Sequence, residues 1–374
     1  MPDFAAKFPI LDRMTFLNHA ATAPLSGPAA EAFKQYAQYA ATHSYVGSGC
    51  YEQLDELRAD AGRLINARGG HEIAFVPNTA TGIALVAQGL PWREDDEVVL
   101  SNVEFPANRY PWDDLKRRGV KVVEVAQRPD YRIDEDDVIN AITDRTRVVA
   151  ISHVQFSTGF RIDLKRISEV AHQAGAYLCV DAIQSVGVLP VDVQAMGVDF
   201  LSADGHKWML GPEGAGIFYC HEDLIEALHP ALIGWTNMVD PMDFLNYKRS
   251  LRKDAQRFEP GTRNIPGLLA LHESIKLLLD AGAETVWSRI DALNQQVRPG
   301  LQNKGYKVLS PPEPQERSGI VAFTPGDASV NVDKIAADLE SQDIIIAVRN
   351  GRLRVSPHFY NKPEQIERFL AALP

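Results

Sequence analysis

Cysteine is scarce in this chain. Its three cysteines, Cys50, Cys179 and Cys220, are scattered over 374 residues, which excludes a disulfide framework and a cysteine metal cluster, and no metal site is expected. No cysteine follows Cys220. No apolar run approaches the ~20 residues of a membrane-spanning helix. The opening stretch "MPDFAAKFPILDRM" carries acids and has no signal-peptide core, so a cytoplasmic location is expected. Positive charge is also short. Lys and Arg number 38 against 49 Asp and Glu, a net charge of −11, which argues against nucleic acid or an anionic membrane as a main partner. There is no internal repeat and no low-complexity stretch. No glycine-rich phosphate fingerprint follows the first apolar run, which sets a nucleotide-binding α/β protein low.

What remains is an ordinary globular balance, 45% hydrophobic and 23% charged, with room for two domains. Between about residues 70 and 220, short apolar runs ("EIAFV", "DEVVL", "VKVVEV", "RVVAISHV", "AYLCVD", "VDFLSA", "GAGIFYC") alternate with amphipathic stretches such as "DLKRISEVAHQAG". This predicts an α/β fold, a mainly parallel sheet sandwiched by helices. Cys179 and Cys220 fall in apolar runs and read as buried inert thiols; Cys50, beside glycines, reads as exposed. After residue 250 two long helices and a β–α–β–β–α pattern predict a smaller α+β domain. The expected division is an N-terminal arm over 1–15 packing on the small domain, a large domain over 16–250, and a C-terminal domain over 251–374 that begins with a long connecting helix.

In such sheets ligands bind beyond the carboxyl ends of the strands. After "EIAFV" comes "PNTATG", a helix start able to take an anion, although plain capping explains it equally well. After "AYLCV" comes Asp181, with Gln184 following; a buried acid at a strand end is costly unless paired. After "VDFLSA" comes "DGHKW", which sets Lys207 at a strand end before a glycine-rich turn. Lysine forms Schiff bases with carbonyl groups, and partial burial lowers its pKa so that the free amine is available. A phosphate turn, an acid able to pair with a pyridine nitrogen and a lysine follow in the order that one pyridoxal cofactor lying across one sheet edge requires.

At these residues the sequence resembles the class V aminotransferase group of pyridoxal-5′-phosphate enzymes of fold type I. That group includes cysteine desulfurases, selenocysteine lyases and isopenicillin-N-epimerase-like proteins. The resemblance runs through "FLNHAATAPL", "NTATGIALVA", "VEFPAN", "VDAIQSVGVLPVDV", "ADGHKWMLGPEG", "FEPGTRN" and "VRNGRLRVSPHFYN". It implies that Lys207 carries the cofactor and shuttles protons. It further implies that Asp181 pairs with the ring nitrogen, that Gln184 approaches the phenolic oxygen, and that Thr79, Ala80 and His206 hold the phosphate. Thr262 would reach the phosphate of the partner subunit, making the protein a homodimer with shared sites. Ala20 would lie in a substrate-side loop. Arg349, with Arg354 second, would bind the carboxylate of an amino-acid substrate.

Three departures from the group stand out. Phe105 occupies the position where a histidine usually stacks on the cofactor. Phe156 stands where an asparagine is common. Asp204 replaces a serine before Gly-His-Lys, with Ser202 as a substitute phosphate contact. The group's desulfurases also use a late cysteine as nucleophile, and this chain has none. Lyase or epimerase-like chemistry is therefore expected first, with a transaminase or a desulfurase- or selenocysteine-lyase-like activity as the alternative and a non-catalytic scaffold last. Trp235 is expected to line the site as readily as not, Trp208 to pack under the lysine turn, and His153 to be a satisfied core histidine.

Overall fold

The computed structural model describes residues 4–374. A seven-stranded sheet carries the candidate residues. Its strands are β1 (Ile73–Val76), β2 (Glu97–Ser101), β3 (Lys121–Val125), β4 (Thr146–Ser152), β5 (Tyr177–Asp181), β6 (Phe200–Asp204) and β7 (Gly216–Cys220). They lie in the order β1-β7-β6-β5-β4-β2-β3. The strands from β6 to β3 pair in parallel, whereas β7 runs antiparallel to both β6 and β1. The sheet is thus mixed around the expected parallel core. Side chains alternate between two apolar layers along each central strand. In β4, Val149 and Ile151 join one core while Val148 and Ala150 join the other; in β5, Leu178 and Val180 oppose Cys179. A sheet buried on both faces explains why these strands read as unbroken apolar runs.

Helices α1 (Gly27–His43) and α2 (Cys50–Leu64) come before the first strand. Helix α3 (Thr79–Gly89) follows β1 and packs on β6. Helix α4 (Leu164–Gln173) starts where the Asp163 side chain accepts the Arg166 N–H. The two long helices are α5 (Ile265–Ala281), which packs against α1 and α2, and α6 (Ala283–Asn303). A second, antiparallel sheet holds β8 (Lys307–Val308), β9 (Val321–Thr324), β10 (Ala347–Arg349) and β11 (Arg352–Val355) in the order β10-β11-β9-β8. With α6, α7 (Val332–Glu340) and α8 (Pro363–Ala372) it closes a separate core around Phe323 and Phe369.

Residues 1–3 of the expected N-terminal arm lie outside the described residues, and the part that follows is woven into this second unit. Thr15–Phe16 pairs in parallel with Ile344–Ile345, and the Phe8 ring stacks on Tyr360 with centroids 3.6 Å apart. Cys50 is buried, contrary to the reading from its glycine-rich surroundings, because it opens α2 against the main core and accepts the Ser48 hydroxyl. Among the described residues no helix is long and apolar enough to cross a membrane.

Candidate active site

At the carboxyl ends of β5 and β6 lies a cavity of about 390 Å³. Most of the residues singled out in the sequence line it: Ala20, Thr79, Ala80, Phe105, Gln184, His206, Lys207, Arg349 and Arg354. Phe156 and Asp204 line it too. Sequence reasoning did not single out Thr22, Ala107 and Ile183, uncharged residues inside the stretches that carry the resemblance.

Lys207 sits in a tight turn. Gly205 N–H donates to Ala215, Gly211 N–H to Gly205, and Leu210 N–H to Lys207 itself, with Leu210 in the left-handed region at φ 58°. The turn follows from antiparallel pairing, because the chain must reverse after β6 to enter β7. Burial lowers the Lys207 ammonium pKa to about 8. The carboxylates of Asp181 and Asp204 oppose that fall, and Arg354 and Arg349 reinforce it. Its Nζ lies 5.6 Å from the centroid of the Phe105 ring. An amine so placed is a usable nucleophile and base near neutrality.

Asp181, at the end of β5, is buried. It accepts one hydrogen bond, from Ile183 N–H at 3.0 Å, and has no ion pair among the described residues. Burial raises its pKa to about 6, against the pull of that N–H and of Lys207. A carboxylate kept this poorly compensated suits a cationic ring nitrogen. Beside it, Glu104 accepts from Ser152, Asn108 and Gln155, and burial raises its pKa to about 7.

Helix α3 opens on the cavity. The Asn78 side chain caps it by accepting Thr81 N–H at 2.9 Å, so the capping explanation holds. The Thr79 and Ala80 N–H groups have no acceptor within the helix and remain available to an anion. Thr79 Oγ1 accepts Asp204 N–H at 3.0 Å, which ties helix to strand. The Asp204 carboxylate faces inward to the chain: it accepts Gly205 N–H at 2.7 Å and lies 2.8 Å from His206 Nδ1. Ser202 does not take over as a phosphate contact. It is buried on the sheet and donates to the Thr79 carbonyl at 3.0 Å.

Gln184 is used at both ends. Its amide nitrogen donates to Ala20 O at 3.0 Å, and its oxygen accepts Trp208 Nε1–H at 2.7 Å. One amide N–H is left for a ligand oxygen. Trp208 is fully buried under the turn, as expected. Phe105 and Phe156 meet edge to face at 5.2 Å and form an apolar wall. Arg354 is 1% exposed. It donates once, from Nη1 to Phe156 O at 2.6 Å, and its buried Nε and Nη2 find no partner. Burial lowers its pKa to about 9, with Arg349 adding to the fall. Arg349 is half-exposed and donates to Val348 O. Arg354 therefore has buried donors without a partner among the described residues, and Arg349 is the more exposed of the two.

Three residues fall elsewhere. Thr262 and Trp235 do not line this cavity; both line a separate concavity of about 850 Å³. His153 is buried, but its Nδ1 has no partner, so it is not a satisfied core histidine. Cys50, Cys179 and Cys220 are all outside the cavity.

The uncompensated Asp181, the free helix N-terminus and the desolvated Lys207 fit the ring nitrogen, phosphate and carbonyl of pyridoxal phosphate, and the arginines add positive charge beside them. The family described as aminotransferase class-V matches residues 15–369. The chain belongs to the class-V aminotransferase family. Members of this family depend on pyridoxal phosphate. A probable cysteine desulfurase of Methanothermobacter thermautotrophicus is 30% identical, over 98% of this chain and 95% of its own. The apo structure of a cysteine desulfurase from Thermococcus onnurineus superposes with a TM-score of 0.90 at 26% identity, covering 99% of this chain and 96% of that one. The cystine C–S lyase C-DES, in complex with its product cysteine persulfide, has a TM-score of 0.87 at 25% identity and covers 97% and 98% of the two chains. A variant of C-DES holds glycine covalently on its pyridoxal phosphate. The desulfurase names among these relatives favour the desulfurase-like alternative over the lyase or epimerase chemistry expected first.

Because the amine must be unprotonated to attack, covalent uptake of pyridoxal phosphate by Lys207 is expected to rise with pH. The rate should climb about tenfold per unit below about 8 and level off above it. Stopped-flow absorbance across pH 6–9 measures this; a rate independent of pH would contradict it.

Proposed function

We propose that this class-V enzyme breaks the Cβ–S bond of a cysteine-type amino acid by elimination, with sulfur leaving to solution and not onto a cysteine of the chain. One observation carries the reading: the cavity gathers a lysine, an acid and two arginines, and no thiol. Cys179 and Cys220 are buried away from it, and burial raises both thiol pKa values well above ordinary. The names of the relatives support a sulfur amino acid as substrate. The missing thiolate disfavours transfer of sulfur to the enzyme, which needs a nucleophile.

Bound in the cavity, pyridoxal phosphate supplies an electron sink for the charge released at Cα. Asp181 would pair with the ring nitrogen. The Thr79 and Ala80 N–H groups, with His206, would hold the phosphate, and the Phe105 and Phe156 rings would give the cofactor an apolar wall. Arg354 would take the substrate carboxylate with Nε and Nη2, a bidentate fit. Lys207 Nζ takes the Cα proton, and the sulfur departs from Cβ with the bonding pair. For cystine the balanced outcome is pyruvate, ammonia and cysteine persulfide, with one water consumed.

Support for a homodimer comes from Thr262 and Trp235 lying with Tyr45, Tyr51 and Met242 on the outer concavity. The last four of these side chains are large, apolar and exposed.

The test supplies cysteine or cystine to the cofactor-loaded protein without added thiol and follows products by proton NMR. Pyruvate with ammonia is the expected result. Alanine as the main product would overturn the elimination reading and restore sulfur transfer. Arg354→Leu is expected to raise KM by about 10–100-fold, the loss of one charge-assisted pair, with a smaller fall in kcat. Arg354→Lys should recover only part, since an ammonium cannot present the two-pronged donor. Equal KM values for wild type and Arg354→Leu would place the carboxylate elsewhere.

A further inference from the structure

His358 lies outside the cavity, fully buried between β11 and α8. Its partners fix its tautomer. Phe359 N–H donates to Nδ1 at 2.9 Å, so Nδ1 is the acceptor and Nε2 bears the hydrogen. Nε2–H then donates to the Trp208 carbonyl at 3.0 Å. Burial lowers the His358 pKa to about 4, so the neutral ring persists through the working range. The rings of His19 and Tyr360 pack on it at 5.2 and 5.8 Å. Burial lowers the His19 pKa as well, and His19 bonds to Ser356 O and the Tyr360 hydroxyl.

The residue that His358 grips directly follows Lys207. Three consecutive carbonyls around the lysine are each engaged. His206 O accepts Ala23 N–H at 2.7 Å, Lys207 O accepts Leu210 N–H at 3.1 Å, and Trp208 O accepts His358. Only the last of these donors is a side chain. Trp208 has no slack elsewhere: a Cβ at Gly319 would overlap its indole, and one at Gly187 would overlap its carbonyl.

We infer that His358 is a positioning residue for Lys207, fixing through the Trp208 carbonyl the backbone from which the lysine side chain enters the cavity. The inference rests on Lys207 as the cofactor-bearing residue and not on which substrate bond is broken. The test therefore uses no sulfur substrate. Wild type, His358→Leu and His358→Gln are loaded with pyridoxal phosphate. The pH titration of the absorbance of the Lys207–cofactor linkage is recorded, with its rate of release by hydroxylamine.

His358→Leu is expected to shift the apparent pKa of the linkage by about one unit and to speed release about tenfold. His358→Gln, whose amide can donate to the same carbonyl, is expected to lie close to wild type. Thermal melts of the cofactor-free forms monitor folding. If His358→Leu does not fold, His358→Phe, which keeps a ring and lacks the donor, is read the same way. An unchanged titration in the donor-less variant, or His358→Gln behaving like it, would overturn the inference.

Discussion

Lys207→Ala is expected to stay folded and to lose turnover by roughly 10³-fold or more, the scale of a positioned proton-transfer group, compounded by loss of the covalent attachment point. The fold has little reason to suffer. The Lys207 side chain borders the cavity, so truncation enlarges an existing space. Its lowered pKa also means that burial penalises the ammonium form at neutral pH, and the alanine variant is free of that penalty. Circular dichroism should match wild type, while the absorbance of the covalently held cofactor should be missing. A variant that retained turnover within tenfold of wild type would remove Lys207 from the chemistry.

Asp181→Asn separates stability from function. Burial raises the carboxylate pKa to about 6 in the fold, from about 3.9 in an unfolded chain. The folded pKa is the higher one, so stability is greatest below about pH 4 and falls as pH rises through about 6. Two units correspond to a penalty of about 3 kcal/mol above that window. Asparagine has no charge to desolvate. The cofactor-free variant should therefore match or exceed wild type in Tm at pH 8, with a smaller difference at pH 4. Turnover should nevertheless fall by about 10²–10³, the usual cost of removing a preorganised charge from its reacting partner. Melting curves at both pH values and steady-state rates measure the two effects. A large loss of Tm at pH 8 would show that Asp181 is structural.

The strand-end rule places Lys207, Asp181, Gln184 and the Asn78–Ala80 turn at one edge from sequence alone, because a parallel sheet orders its functional loops by topology. Chain reversal was less legible. The run "GAGIFYC" is as apolar as its parallel neighbours, and direction leaves no trace in composition. Thr262 is expected from family position at the partner subunit's phosphate, which one chain does not test, and Trp235, from its turn-rich surroundings, as readily outside the site as in it; both lie on the outer concavity. Cys50 was misread because glycine neighbours say nothing about what α2 packs against. Ser202 and Asp204, two residues apart on β6, share a face, and that spacing alone does not say which of them meets the cavity. His358 carried no local signal: it lies in "SPHFYN", far along the chain from the carbonyl it holds.

That separation bears on how the molecule is made. His19 and Ser356, which meet beside the lysine turn, stand 337 positions apart. At a synthesis rate of about 5–20 residues per second, the second member emerges roughly 15–70 s after the first. The main sheet, complete by Cys220, can assemble in that interval with Lys207 already in its turn and one of its three carbonyl contacts still missing. Contacts this distant in sequence also form slowly. On the proposed roles of Lys207 and His358, capture of the cofactor in its working geometry comes late in the birth of the protein, after the bulk of its core has set.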